Sequence, residues 1–148
     1  MLRTIFTMGI LLLTFFNDHK ILPQTPNLPS HAINGNDFNG TWQSVTNNDV
    51  NSFTLTIKEN GQRIKGYHCY IGQSGKWIDC SDSAGTYSLD GVINANEAMV
   101  NFVSFYSETK GKAKILLVNG ELHWKIVSEP SGDYYLPKVA VLRKLDRP

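Results

Sequence analysis

The chain has 148 residues, with fourteen basic and thirteen acidic side chains and a formal net charge of +1. That length suits one domain rather than two, and the balanced charge lacks the basic excess of a nucleic-acid binder. Abundant Gly, Asn, Ser and Thr, with 11% aromatics, suit short strands joined by turns.

Residues 1–20 read as a leader. One positive charge, Arg3, precedes an uncharged, mostly apolar run from Thr4 to Phe16. The run is shorter than the roughly 20 residues a membrane-spanning helix needs. It fits the about 7 to 15 residues of a secretory h-region. Export to a periplasm or to the outside is therefore expected. No A-x-A cleavage pattern follows, so an uncleaved anchor is the alternative, and it is the only membrane attachment expected. No cysteine follows the run to carry a lipid. Residues 21–36, with Pro23, Pro26 and Pro29, read as a flexible linker. The folded domain is expected over 37–148.

Within that domain the apolar period is two, the signature of strands. FNGTWQSV (38–45) is the first. SFTLTIK (52–58) is the second, with Phe53, Leu55 and Ile57 on one face. A turn centred on Asn60-Gly61 leads into RIKGYHCYIG (63–72), and Ser74-Gly75 into KWIDC (76–80). GTYSL (85–89), a turn at Asp90-Gly91, and AMVNFVSFY (98–106) follow. KAKILLV (112–118) and ELHWKIV (121–127) flank Asn119-Gly120, and PKVAVLRK (137–144) closes the chain. Eight or nine strands in up-and-down order would leave exposed edges in an open sheet. An all-β, antiparallel, up-and-down barrel of about eight strands is the expected fold.

The Asn60-Gly61 centre sets Ile57 opposite Ile64, Leu55 opposite Gly66 and Phe53 opposite His68. The Ser74-Gly75 centre sets Cys69 opposite Cys80. Counted from the turn, these fall on a hydrogen-bonded pair, with Cα atoms about 5.5 Å apart, within disulfide range. They are the only two cysteines, and in an exported chain they are expected to join. Closing so short a loop is worth about 3 kcal/mol in the chain-entropy model. The spacing is not C-x-x-C, and no histidine pair accompanies it, so neither a redox motif nor a metal site is expected. The staple lies on the outer face. His68, Tyr70, Trp77 and Asp79 then share the inner face with Phe53, with Tyr70 directly opposite Asp79 and His68 diagonal to it; the alternative is that this hairpin projects beyond the barrel rim, where both faces are wet.

The segment Phe38-Asn39-Gly40-Thr41-Trp42 together with Arg143 on the last strand resembles the calycin pattern of lipocalins and avidins. The resemblance implies that Trp42 packs against the Arg143 guanidinium, a favourable stacking. Ser52, then Gly61, Ile64 and Gly66, and later Leu122 and Trp124, follow in an order similar to avidins. The chain departs from them at His68, where avidins carry a biotin-contacting tyrosine, and at Ser44, where they carry an asparagine. The last strand has no counterpart of their aspartate, so biotin binding does not carry over. The arrangement of HC and IDC around the hairpin, with YYLP before the last strand, is also similar to uncharacterised small exported bacterial proteins.

Two functions from different classes follow. In the first, the barrel binds a small, partly apolar or aromatic ligand through Phe53, His68, Tyr70, Trp77 and Asp79, the aromatic walls and few polar groups typical of small-ligand sites. In the second, it is a protein-interaction module, of inhibitor or immunity type, that works through loops on a solid core. The loop from Glu129 to Asp133 and the tyrosines after it suit such a surface. An enzyme built on His68, Asp79 and Tyr70 as acid and base groups is the lesser alternative. No cofactor is expected. Asn39-Gly40-Thr41 is a glycosylation sequon. His123 is expected outward and Trp124 in the core.

Overall fold

In a computed structural model, residues 38–46, 50–81 and 85–145 are described. The leader and linker readings fall outside them. Nine strands form: β1 (Gly40–Ser44), β2 (Ser52–Asn60), β3 (Arg63–Gly72), β4 (Trp77–Cys80), β5 (Leu89–Asn94), β6 (Glu97–Val103), β7 (Lys110–Val118), β8 (Glu121–Ser128) and β9 (Val139–Lys144). All pairings are antiparallel. Sequence neighbours pair except β4 with β5, β9 returns to β1, and β5 pairs β3. Eight strands thus close an up-and-down barrel, and β4 is a short spur on it.

Alternation drives this closure. In β2, Phe53, Leu55 and Ile57 are buried while Ser52, Thr54 and Thr56 are half-buried. The inward residues of the other strands complete one core, with Trp42, Trp124 and Phe102 its largest members beside Phe53. Phe53 and Phe102 both pack on Trp124, with ring centroids 5.5 and 5.6 Å away. These rings occupy the barrel centre. Dense burial of this kind supplies the main folding force.

The structure departs from the sequence expectations at five points. The β2–β3 turn is centred on Gly61-Gln62, so Leu55 faces His68 and Phe53 faces Tyr70. Gly61 takes the first central position at φ 60°, where a type II′ turn puts glycine. The register moves by two, so every side chain keeps its face. The turn after β5 lies at Ala95-Asn96, and Asp90-Gly91 sits inside the strand. A Cβ on Gly91 would press on the Met99 carbonyl and Val100; the glycine permits close approach of two backbones rather than a turn. GTYSL is not a strand until Leu89, and β6 stops at Val103, short of the expected 106.

Cys69 and Cys80 are opposite and joined, as expected. They are not on a hydrogen-bonded pair. The loop Gln73–Lys76 contributes four residues, including one 3₁₀ turn at Gln73–Gly75. The Ser81 amide donates to the His68 carbonyl at 2.9 Å, which makes 68/81 a hydrogen-bonded position and 69/80 the one between. The Cα atoms are accordingly closer, 3.9 Å apart.

Candidate functional site

β4 and β5 run in the same direction beside β3, β4 against its upper half and β5 against its lower half. The chain changes from one to the other at His68. The His68 amide donates to the Ser81 and Ser88 hydroxyls, at 3.2 and 3.0 Å. The loops 104–109 and 129–138 reach the same end of the barrel, and all of them meet at Asp79.

Asp79 accepts four hydrogen bonds. Oδ1 receives His68 Nε2 at 3.2 Å and the Phe105 amide at 2.8 Å. Oδ2 receives the Ser104 hydroxyl at 2.6 Å and the Tyr135 amide at 3.3 Å. His68 Nδ1 lies 2.8 Å from Ser88 Oγ. With the proton assigned to Nε2, the Ser88 hydroxyl donates to Nδ1 and accepts the His68 amide, and every group is satisfied. Burial alone would push the Asp79 carboxyl up. Hydrogen bonds from His68 and Ser104, the electrostatic influence of the adjacent imidazole and the Phe105 amide outweigh it and hold the carboxyl below its ordinary value.

Ser88, His68 and Asp79 line up like a hydrolytic triad. Their relative exposures are 2, 1 and 0%, so no substrate reaches the hydroxyl. The arrangement binds together the segments of His68, Asp79, Ser88, Ser104-Phe105 and Tyr135 at one end of the barrel.

The sequence-predicted site residues divide into two groups. Phe53, His68 and Asp79 are buried, and Tyr70 packs against the core with its hydroxyl donating to Asn51 Oδ1 at 3.3 Å. Beside Phe53 and Tyr70 the barrel mouth keeps a recess of about 150 Å³. Trp77 instead stands at the surface, 40% exposed. It stacks on Tyr135, centroids 5.5 Å apart and planes within 8°, and Tyr135 packs on Tyr106 at 4.4 Å. Tyr106 is 52% exposed. The hydrogen bond with Tyr106, then burial and nearby negative charge, push the Tyr135 hydroxyl up to about 12. Three aromatic rings therefore form a cluster beside the Asp79 hub.

Sequence reasoning missed Ser88, Ser104, Tyr106 and the amide of Tyr135. It also misplaced the cation on Trp42. Lys144 Nζ lies 5.2 Å from the Trp42 ring centroid, while Arg143 points outward and donates to Glu121 Oε1 at 3.0 Å. Leu142 is buried and strand period two puts Lys144, not Arg143, on its face. Gly40 makes room: at φ 125° it has no Cβ, which would fall 2.7 Å from Lys144 Cε. Asn39 accepts the Glu59 amide through Oδ1 at 2.6 Å. His123 is half-buried, 4.0 Å from Glu121, and Trp124 is in the core.

Among the described residues no group of three His, Cys, Asp or Glu side chains is placed to hold a metal. No helix among them is long and apolar enough to cross a membrane. No family model, curated protein or solved structure matches the chain.

Proposed function

We propose that the protein is an exported interaction module, a rigid barrel that offers Trp77, Tyr135 and Tyr106 to a partner protein. The observation that carries this reading is the half-exposed aromatic cluster, mounted on the buried Asp79 hub. Trp and Tyr are the side chains most enriched among binding hot spots. Rigid support lowers the ordering cost of association. The filled barrel centre supports the same reading, because large side chains stand where a calycin would hold its ligand. The disulfide and the leader-like start of the chain support export. The calycin likeness enters here too, on eight-strand closure and on a cation over the first-strand tryptophan.

The small-ligand reading has one observation in its favour. An apolar groove of about 470 Å³ runs over the outer face of β8 and β9, between Val45, Leu116, Val139 and Val141. Its volume lies within the range of about 300 to 1,000 Å³ for ligand pockets.

One experiment separates the two. The wild type and a Trp77→Ser/Tyr106→Ser double variant are purified without denaturation from the producing cells, and native masses are recorded. The interaction reading expects a discrete protein partner on the wild type, absent from the variant. A small molecule retained equally by both would overturn it.

A further inference from the structure

In a closed barrel every strand has two neighbours. Seven of these eight strands have one along each side, and β3 has β2 on one side with β5 and β4 sharing the other. Among the described residues β4 alone pairs on a single side, with β3. The reason is visible in β6. It ends at Val103, whose amide donates to the Ser88 carbonyl at 3.0 Å. That is the level at which the column beside β3 passes from β5 to β4. Among the described residues no strand continues alongside β4, and the following residues Ser104 and Phe105 hydrogen-bond β4 only through the Asp79 side chain.

The direction of the open groups follows from the register. Because 68/81 is a hydrogen-bonded position, the amides and carbonyls of Asp79 and Trp77 point to β3. Those of Ile78 and Cys80 point the other way, and no hydrogen bond to them is formed by a described residue outside the strand ladder. The Ile78 side chain is itself 54% exposed. This edge is also held still. Cys80 is bonded to Cys69, and Asp79 is fixed by four hydrogen bonds.

We propose that the open edge of β4 takes up an extended strand of a partner polypeptide, which pairs with the main-chain groups of Ile78 and Cys80. Only another extended backbone offers donors and acceptors alternating at the spacing these two residues present. The incoming strand lies beside the aromatic cluster, with apolar side chains at alternate positions meeting Ile78. The proposal rests on the interaction reading above and specifies its partner as a strand donor. A folded surface patch would not use these groups.

The test uses the full chain and a capped peptide, acetyl-Lys-Thr-Val-Thr-Val-Thr-Lys-amide, with a second peptide N-methylated at both valines. Amide spectra and hydrogen exchange are read at Ile78 and Cys80. At saturating plain peptide both amides shift and exchange slows roughly tenfold, as for a newly protected strand. The N-methylated peptide produces neither effect. Ile78→Pro removes one outward amide and no bond to β3, a position where edge strands tolerate proline. It is expected to form the disulfide, to melt within a few degrees of wild type, and to abolish the shift at Cys80. Unchanged spectra at millimolar plain peptide would overturn the proposal. So would equal binding of the methylated peptide, or self-association of the wild type lost in Ile78→Pro, which makes a second copy the occupant. A native partner lost on Trp77→Ser/Tyr106→Ser but kept by Ile78→Pro would leave the interaction reading standing and the strand reading refuted.

Discussion

Replacing Asp79 by asparagine keeps the shape of the side chain and removes its charge. The amide oxygen is best placed at the Oδ1 position, where it still accepts from His68 and Phe105. The amide nitrogen then takes the Oδ2 position. Ser104 can rotate its hydroxyl to accept, but the Tyr135 amide loses its acceptor and meets a donor. One stranded buried donor, with the loss of charge assistance to the others, costs about 2 to 3 kcal/mol. At roughly 4 °C per kcal/mol for a domain of this size, melting falls by about 8 to 12 °C. The cost has a pH signature. The folded carboxyl lies below its ordinary value of 3.8, so its contribution is complete above that value and is lost as pH falls through it toward the folded pKa. Thermal and urea unfolding of wild type and Asp79→Asn should differ at pH 5 and converge below about pH 4. A gap under about 1 kcal/mol, or one that widens in acid, would refute the role given to the hub.

Three further outcomes follow from other parts of the molecule. The double variant Cys69→Ser/Cys80→Ser should lose about 3 kcal/mol in urea unfolding while keeping its strand content by circular dichroism; no loss would mean that the β3 ladder and the Asp79 bonds hold β4 without the disulfide. Gly40→Ala must adopt φ 125° and displace Lys144 from Trp42, which should cost about 1 to 3 kcal/mol in thermal unfolding; a neutral result would show that the first strand re-seats freely. In an ultraviolet titration, Tyr135 should ionise near 12, and Tyr106→Phe should bring it back toward 10, whereas an unchanged profile would place the cause outside that hydrogen bond.

Much of the barrel was legible because its causes are local. Alternation located eight of the nine strands and missed all of β5 but Leu89, and an even-numbered loop made Cys69 face Cys80 whether it held two residues or four. The same four-residue loop shifted the ladder bonds, which alternation alone does not reveal. Asp90-Gly91 looks like a turn because the residues that favour turns also favour tight strand crossings, and only the partner strand distinguishes them. Lys144 was derivable from the parity of Leu142. Motif resemblance selected Arg143 instead. The hub was legible only as a pairing of His68 with Asp79. Its remaining partners, Ser104, Phe105 and Tyr135, lie 25, 26 and 56 residues away and arrive only through barrel closure. No spacing rule connects them. Trp77 shares the face of Asp79, yet it lies beyond the rim, so the same parity yields a surface ring rather than a cavity wall.

The most direct test of the central claim is site-specific photo-crosslinking in the producing cells. A photoreactive residue replaces Tyr106 at the aromatic end or, in a second variant, the exposed Val92, which pairs with Arg63 at the far end of β3. A discrete protein adduct from position 106, absent from position 92 and lost on Trp77→Ser, is the result expected of an interaction module. Equal labelling from both positions, or no protein adduct from position 106, would contradict it.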